Sequence, residues 1–369
     1  MEHYLHLFFD PDVGHKHPAP AGNQSGSVDH HNLRYAENVV VDQVVAEFRP
    51  MPGHPPDTRL LLQERVLPAG EGTRPNPENP DQLLATVDGH ACFRDGLVCV
   101  VETLRIPGDV DMHTGNIEFV GDLVVEGDVL SGFKVQARNV LVKGTIDGAE
   151  IWARRELEAQ TGIKGEKTAF IQAGGDIRTP FCENATLVTR RNILVEGSSL
   201  HCDLYAGQSI SVLDRLQGGA VYCLKDVLVQ GRLGGGTGTE TLLVLGFDPD
   251  LLLRLDEIEE AVQSLKGRLR YLETQSAKDE TNALEFSGEL DKARNTMQAL
   301  LDQKQVLEHE LEARDGSRSC SLAVPGEVRP GVSITMGEVS IIVDDYLQDV
   351  RFTLTGDTIT STSPALETT

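Results

Sequence analysis

Basic residues are scarce in this sequence. Lysine and arginine number 33 against 57 aspartates and glutamates, which sets the net charge at −24 and the pI near 4.8. A nucleic-acid partner requires a basic face that neutralises phosphates, so this balance argues against one. It argues equally against an anionic membrane surface. Long apolar runs are missing too. No stretch of about 18 apolar residues occurs, so no membrane-spanning helix is expected. Cysteine is thin: Cys92, Cys99, Cys182, Cys202, Cys223 and Cys320 form no C-x-x-C pair. Neither a disulfide framework nor a zinc site is indicated, and Cys202 and Cys223 read as small residues fitted into a repeat. Aromatics make up 5%, with one tryptophan, Trp152, which leaves little material for sugar-stacking platforms.

What is present is a repeat between about Gly121 and Gly231. Each copy reads aliphatic, any residue, small residue, a tight polar corner, then aliphatic again. Examples are Val135-Gln-Ala137-Arg-Asn-Val140, Ile171-Gln-Ala173-Gly-Gly-Asp-Ile177 and Val221-Tyr-Cys223-Leu-Lys-Asp-Val227. The anchors after the corner are Leu123, Val140, Leu157, Ile177, Ile193, Ile210 and Val227, spaced by 17, 17, 20, 16, 17 and 17 residues. A fixed period of this length identifies a stacked repeat architecture. Within a copy the apolar residues alternate, as in Val140, Val142 and Ile146, so each segment is a short strand with one face inward. The segments leave no room for crossover helices, which excludes a doubly wound α/β sheet. A parallel β-helix remains. Ala137, Ala153, Ala173 and Ala206 sit before the corner, where a larger side chain would crowd the interior. Corner Asp and Asn residues suit bonds to local amides or to the next copy. Gly127, Gly144 and Gly197 are expected to supply turn conformations closed to other residues.

Around this repeat the chain divides as follows. Residues 1–34 are rich in His, Pro and Gly and read as a flexible tail, in which His15, His17, His30 and His31 match no defined metal spacing. Residues 35–106 form a small β-rich domain broken by Pro- and Gly-rich turns, and residues 107–247 carry the β-helix. From 248 to 316 the period changes. Leu255, Ile258, Val262, Leu265, Leu269 and Leu272 make one heptad seam. After a polar break from Ser276 to Asn282, Phe286, Leu290, Met297, Leu300, Leu307 and Leu311 make a second. Two seams about a short break predict an inserted antiparallel coiled-coil hairpin. Residues 317–360 return to strands that complete or cap the β-helix, and 361–369 form a polar tail.

The segment GDVDMHTGNIEFVGDLVVEGDVLSGFKVQA (Gly108 to Ala137), the small-residue corners, the stretch from Gly326 to Ile334 and the inserted helices together resemble the flagellar assembly protein A family. The likeness runs from about residue 38 to residue 360. It implies a mainly β fold: a right-handed parallel β-helix with an inserted antiparallel α-helical coiled-coil hairpin and a small β-rich N-terminal domain. It also implies a cytoplasmic, non-enzymatic role in flagellum assembly or motility regulation. The partners it implies are proteins, such as a component of the sugar phosphotransferase system or a flagellar assembly factor. Arg154-Arg155 and Arg190-Arg191 stand where the family has corner glycines.

No catalytic, cofactor-binding or metal-binding residue is nominated. The segment MEHYLHLFFDPDVGHKH lacks the basic, apolar and small-residue regions of a signal peptide, so a cytoplasmic location is expected. The leading expectation is a scaffold or regulator acting through protein–protein contacts, with homo-oligomers allowed. One alternative is a carbohydrate-binding or carbohydrate-processing β-helix using Asp122, Asp128 and Asp176 or the paired arginines. A second is a polymer-forming cytoskeletal β-helix. Gly234-Gly235-Gly236-Thr-Gly238-Thr lacks the Lys-Ser/Thr ending of a phosphate loop and reads as a junction loop.

Overall fold

The chain is mainly β, and its central part is a parallel β-solenoid of about 8 turns. The computed structural model describes residues 3–13, 21–22, 28–29, 35–50, 57–236, 239–276, 283–313 and 316–363. They fall into two compact units, Met1–Asp203 with Val212–Asp214, and Leu204–Ser211 with Arg215–Thr369.

The first unit opens with two small antiparallel sheets. One orders Leu61–Leu62, His3–Leu7, Val44–Arg49, Gln82–Ala85 and Thr73–Pro75; the other orders Leu97–Val101, Gly89–Arg94 and Asn38–Val39. Leu5, Val45, Leu83, Val98 and Val100 share one core. The expectation of a loose tail from residue 1 is therefore corrected. His3–Leu7 pairs with Val44–Arg49, and Tyr4, Leu5, Leu7 and Phe9 are buried. Leu5, Leu7 and Phe9 keep a period of two, but apolar Tyr4 and Phe8 occupy the alternate positions and obscure it. The histidines at 15, 17, 30 and 31 lie outside the described residues.

The solenoid starts earlier than the boundary placed at 107, because Thr103–Ile106 already pairs in parallel with Asp122–Val125. Each turn of this unit uses three strands, and each strand sends at least one residue into a column. Leu123, Val140, Leu157, Ile177 and Ile193 stack in register. Val135, Ile151, Ile171 and Leu187 form a second column, and Ile146, Ile163 and Cys182 a third. Beside the second column Ala137, Ala153, Ala173 and Thr189 stack at the turn. All of the Leu, Ile and Val members are at most 2% exposed. Burial of each is worth roughly 1.5–3 kcal/mol, so the columns are the main source of cohesion.

One spacing of 20 residues interrupts the run of 17, and its extra length sits at a single place. Asp147 pairs with Lys164 and Glu150 with Phe170, so five residues (165–169) face two (148–149). Glu166 and Lys167 both take left-handed backbone, at φ 50° and 66°. The surplus is thus a bulge at a corner, and the strands on either side keep their columns.

The glycines of the corners act differently from the expectation. Gly127, Gly144 and Gly197 are absent from the positive-φ residues. Their role is close approach. The Asp109 carboxylate accepts from the Asp128 amide (2.8 Å), and the Asp128 carboxylate accepts from the Thr145 amide (2.6 Å). A Cβ on Gly127 would collide with the Asp109 oxygen, and one on Gly144 with the Asp128 oxygen. Carboxylate and glycine therefore belong together, one turn apart.

The second unit continues the same logic. Leu204, Val221, Leu243 and Ile334 stack, as do Leu216, Leu233 and Val328, and Ala206, Cys223, Leu245 and Met336. The Cys223 thiol is fully buried, and burial pushes its pKa up to about 12, as suits a packing residue. Val339–Ile342, Leu347–Thr355 and Thr358–Thr362 then run antiparallel, with Leu347–Thr355 paired against Ser321–Val328. That pairing occupies a backbone edge of Ser321–Val328, and Val339–Ile342 does the same for Val332–Met336, the last strand in parallel register. Two helices, α1 (Pro249–Ser276) and α2 (Ala283–Ala313), lie between Thr241–Leu245 and Ser321–Val328.

Two glycine substitutions separate the roles. Gly144→Ala should cost about 1–3 kcal/mol through overpacking against Asp128, lowering Tm at ~2–4 °C per kcal/mol. Gly267→Ala, on α1 with nothing near its added Cβ, should instead stabilise the helix by up to about 1 kcal/mol. Thermal denaturation of both variants checks this, and equal effects would contradict the close-approach role.

Candidate functional site

Two features of the solenoid exceed what its own stability requires. The first is a polar corner edge in the first unit. Asp122, Asn139, Arg155, Glu156, Asp176 and Arg178 line a depression of about 460 Å³. Asn139 donates to Asp122 (2.7 Å) and accepts from the Glu156 amide (3.1 Å); Asn192 donates to Asp176 (2.9 Å). Corner side chains thus bond from turn to turn along the edge.

Asp128 does not join this edge, since its carboxylate is bound at the separate corner with Thr145. Arg154, Arg155, Arg190 and Arg191 are all exposed. Arg191 lies 3.5 Å from Asp176, while the backbone amides of Arg154 and Arg155 donate to the carbonyls of Ala137 and Arg138. Residues 174 and 190 are register neighbours, so an arginine pair, a glycine pair and an arginine pair follow in successive turns. Gly174 has no room for a side chain against the Arg154 carbonyl.

The chemistry of the depression is that of fixed charge. Asp122 accepts from Arg138 Nε (2.8 Å) and Nη2 (2.9 Å), and Arg138 also reaches Glu102 (2.5 Å). The Arg138 guanidinium, followed by the Asn139 amide, holds the Asp122 carboxyl below its ordinary range against the opposing effect of burial. A carboxylate so engaged stays ionised at neutral pH and is unsuited to proton donation. Sequence reasoning overlooked Arg138. Its signal was the Arg-Asn corner beside Asp122, one turn ahead of the Arg-Arg corner.

The second feature is the insertion of α1 and α2. Cys223 pairs with Leu245, and Val227 with Leu322. The corner that takes three residues (224–226) in one turn therefore takes 76 (246–321) in the next. Its neck is pinched: Gly316 donates to the Gly246 carbonyl (2.8 Å), and Gly246 donates to the Cys223 carbonyl (2.9 Å). Gly246 has φ 93°, and an added Cβ would strike the Ser317 backbone. Glycine is therefore required at this position.

Leu251, Leu255, Ile258, Val262 and Leu307 form one apolar cluster, joined by Met297, Leu300 and Leu311. Leu272, Leu290 and Ala293 are also buried, and Leu265 and Leu269 are half-buried. The side chain of Phe286 and residues 277–282 lie outside the described residues. Lys304 pairs with Glu259 (2.5 Å), Arg294 with Glu273 (3.3 Å) and Arg268 with Glu289 (3.6 Å). Exposed pairs of this kind contribute roughly 0–1 kcal/mol each, so the apolar contacts hold the helices together. Neither helix is long and apolar enough to cross a membrane. Among the described residues no group of three or more His, Cys, Asp or Glu could hold a metal ion.

Short strands, three to a turn and stacked in parallel register, define a β-solenoid protein. A family model described as the Flagellar Assembly Protein A beta solenoid domain, FapA, matches residues 102–359. The chain belongs to that family. No curated protein and no solved structure matches it.

The Asp122 network carries a pH signature. Its folded pKa is depressed, so its contribution is present above the unfolded value near 4 and is lost as pH falls through the folded pKa. Asp122→Asn should cost about 1 kcal/mol at pH 7, and the gap in Tm from the parent protein should close as pH drops below about 4. Melting curves between pH 7 and pH 2.5 test this; a gap independent of pH would refute it.

Proposed function

We propose that this protein is a cytoplasmic, non-enzymatic scaffold in flagellum assembly, working through protein–protein contacts. The carrying observation is the combination of FapA membership over residues 102–359 with a 76-residue corner (246–321) that the solenoid does not need for its own closure. In this reading α1 and α2 form an antiparallel coiled-coil hairpin that serves as the docking arm. Three cross-helix ion pairs fit that arrangement, since α1 positions 259, 268 and 273 meet α2 positions 304, 289 and 294.

The outer face of the arm fits docking rather than burial in its own chain. Tyr271 is 62% exposed and Val306 60%, each on a helix whose apolar seam is already occupied. Aromatic side chains set among charges are the typical anchors of protein interfaces. The partners in view are a flagellar assembly factor or a component of the sugar phosphotransferase system. A non-enzymatic role is supported by the ion-paired state of Asp122 and by the buried, strongly raised thiol of Cys223.

The test is a variant in which residues 247–315 are replaced by a short Gly-Ser linker. The neck residues Gly246 and Gly316 already bond to each other, so the turn should close and the solenoid should keep its Tm. Affinity capture with both forms should recover a flagellar or phosphotransferase protein with the full chain only. A host carrying only the shortened form should lose normal flagellation. Identical captured partners, or normal flagella, would sink the arm reading.

A further inference from the structure

We propose that Arg215 and Arg232, in the second unit, form a binding site for a phosphoryl oxyanion. Leu216 and Leu233 stack inward, one on the other, with Val328 next in the column. Their neighbours Arg215 and Arg232 therefore share the outward face in direct register. Stacked strands are about 4.8 Å apart, which sets two positive charges side by side. Like charges directly opposite each other destabilise a sheet.

Relief from within the described chain is one-sided, since only Arg232 has an acidic residue beside it in register. Both Nε atoms are buried and have no hydrogen-bond partner among the described residues, so an outside anion would meet the Nη groups of the two guanidinium forks. The glutamate next in the column, Glu327, is in register with Arg232, yet its carboxylate pairs with Arg329 at 2.9 Å. In a chain with 57 acidic residues, two adjacent guanidinium groups that make no ion pair with a described carboxylate, each with an unsatisfied Nε, are a costly arrangement. By contrast, Arg138 alone has two carboxylates.

The chemistry of the pair selects its ligand. A guanidinium is a planar fork that binds phosphate bidentately. Two forks on successive strands present donors in two planes. A flat carboxylate satisfies one of them, whereas a tetrahedral dianion satisfies both and cancels both charges. Gln217 and Gly234, which follow Leu216 and Leu233, flank the pair. Gly234 takes φ 79°, and a Cβ there would strike Val332. The oxyanion is either free phosphate or a phosphoryl group on a protein partner. This site is separate from the helical arm and does not depend on the arm's role.

The test uses the full chain with Arg215→Gln, Arg232→Gln and, as a control, Arg190→Gln. Titration calorimetry and thermal shift are run with inorganic phosphate against chloride at equal ionic strength. A phosphoserine peptide and its unphosphorylated form make a second pair of probes. The parent and the Arg190 variant should bind at least one phosphorylated probe, and each single variant at 215 or 232 should weaken it at least tenfold. Binding of inorganic phosphate would identify a free ligand, and binding of the phosphopeptide alone a protein-borne one. Without ligand, the 215 and 232 variants should melt at or above the parent temperature, because a repulsion is removed. Silence of both phosphorylated probes, or unchanged binding in the two variants, would overturn the assignment. A marked loss of stability without ligand would also overturn it, because the arginines would then be structural.

Discussion

Every strand of the solenoid must place one aliphatic side chain above its equivalent in the preceding turn, inside a narrow interior. That constraint governs almost everything else in the chain. It sets the period near 17 residues, because three short strands and their corners use that length to return to register. It keeps Ala137, Ala153 and Ala173 small where the backbone bends. It also confines variation to the corners. An extra residue within a strand would turn its inward face outward, because the side-chain period is two.

The corners are accordingly where this protein differs from a plain repeat. Three extra residues near Gly165 make a bulge, while a corner of 76 residues (246–321) in place of three holds α1 and α2, and neither breaks a column on either side. The cost of closing a loop grows slowly with its length. The neck bonds between Gly246 and its neighbours then return the chain to register whatever the insert contains. Insertion at a corner is thus a physically inexpensive way to hang a new surface on an old frame.

This explains which parts could be read from sequence. The columns were legible because stacking forces one residue type at a fixed period, as at Leu123, Val140, Leu157 and Ile177. The seam residues Leu255, Ile258, Val262 and Leu307 were legible for the same reason at the helical period. The reason for Gly144 was not. Its conformation is ordinary, and it is the Asp128 carboxylate and the Gly127 backbone of the preceding turn that exclude a side chain. His3–Leu7 was missed because composition outweighed alternation, and Leu5 shows no exposure at all. The Arg138 network was hidden because Glu102 lies 36 residues away, and only the winding of two turns makes them neighbours.

Charge follows the same geometry. On a surface built of columns, each side chain's first neighbours are its counterparts one turn away, so pairing of charges is a matter of register. Glu158 and Arg178 occupy adjacent places in one outward column, as opposite charges should. Glu150 and Lys134 do likewise and touch at 2.9 Å. Arg215 and Arg232 break that rule with the same sign in adjacent places, although the acidic residues of the chain outnumber the basic ones. In an architecture where a change of one residue would restore balance without disturbing a column, folding gives no reason for this mismatch, and an external counter-charge does.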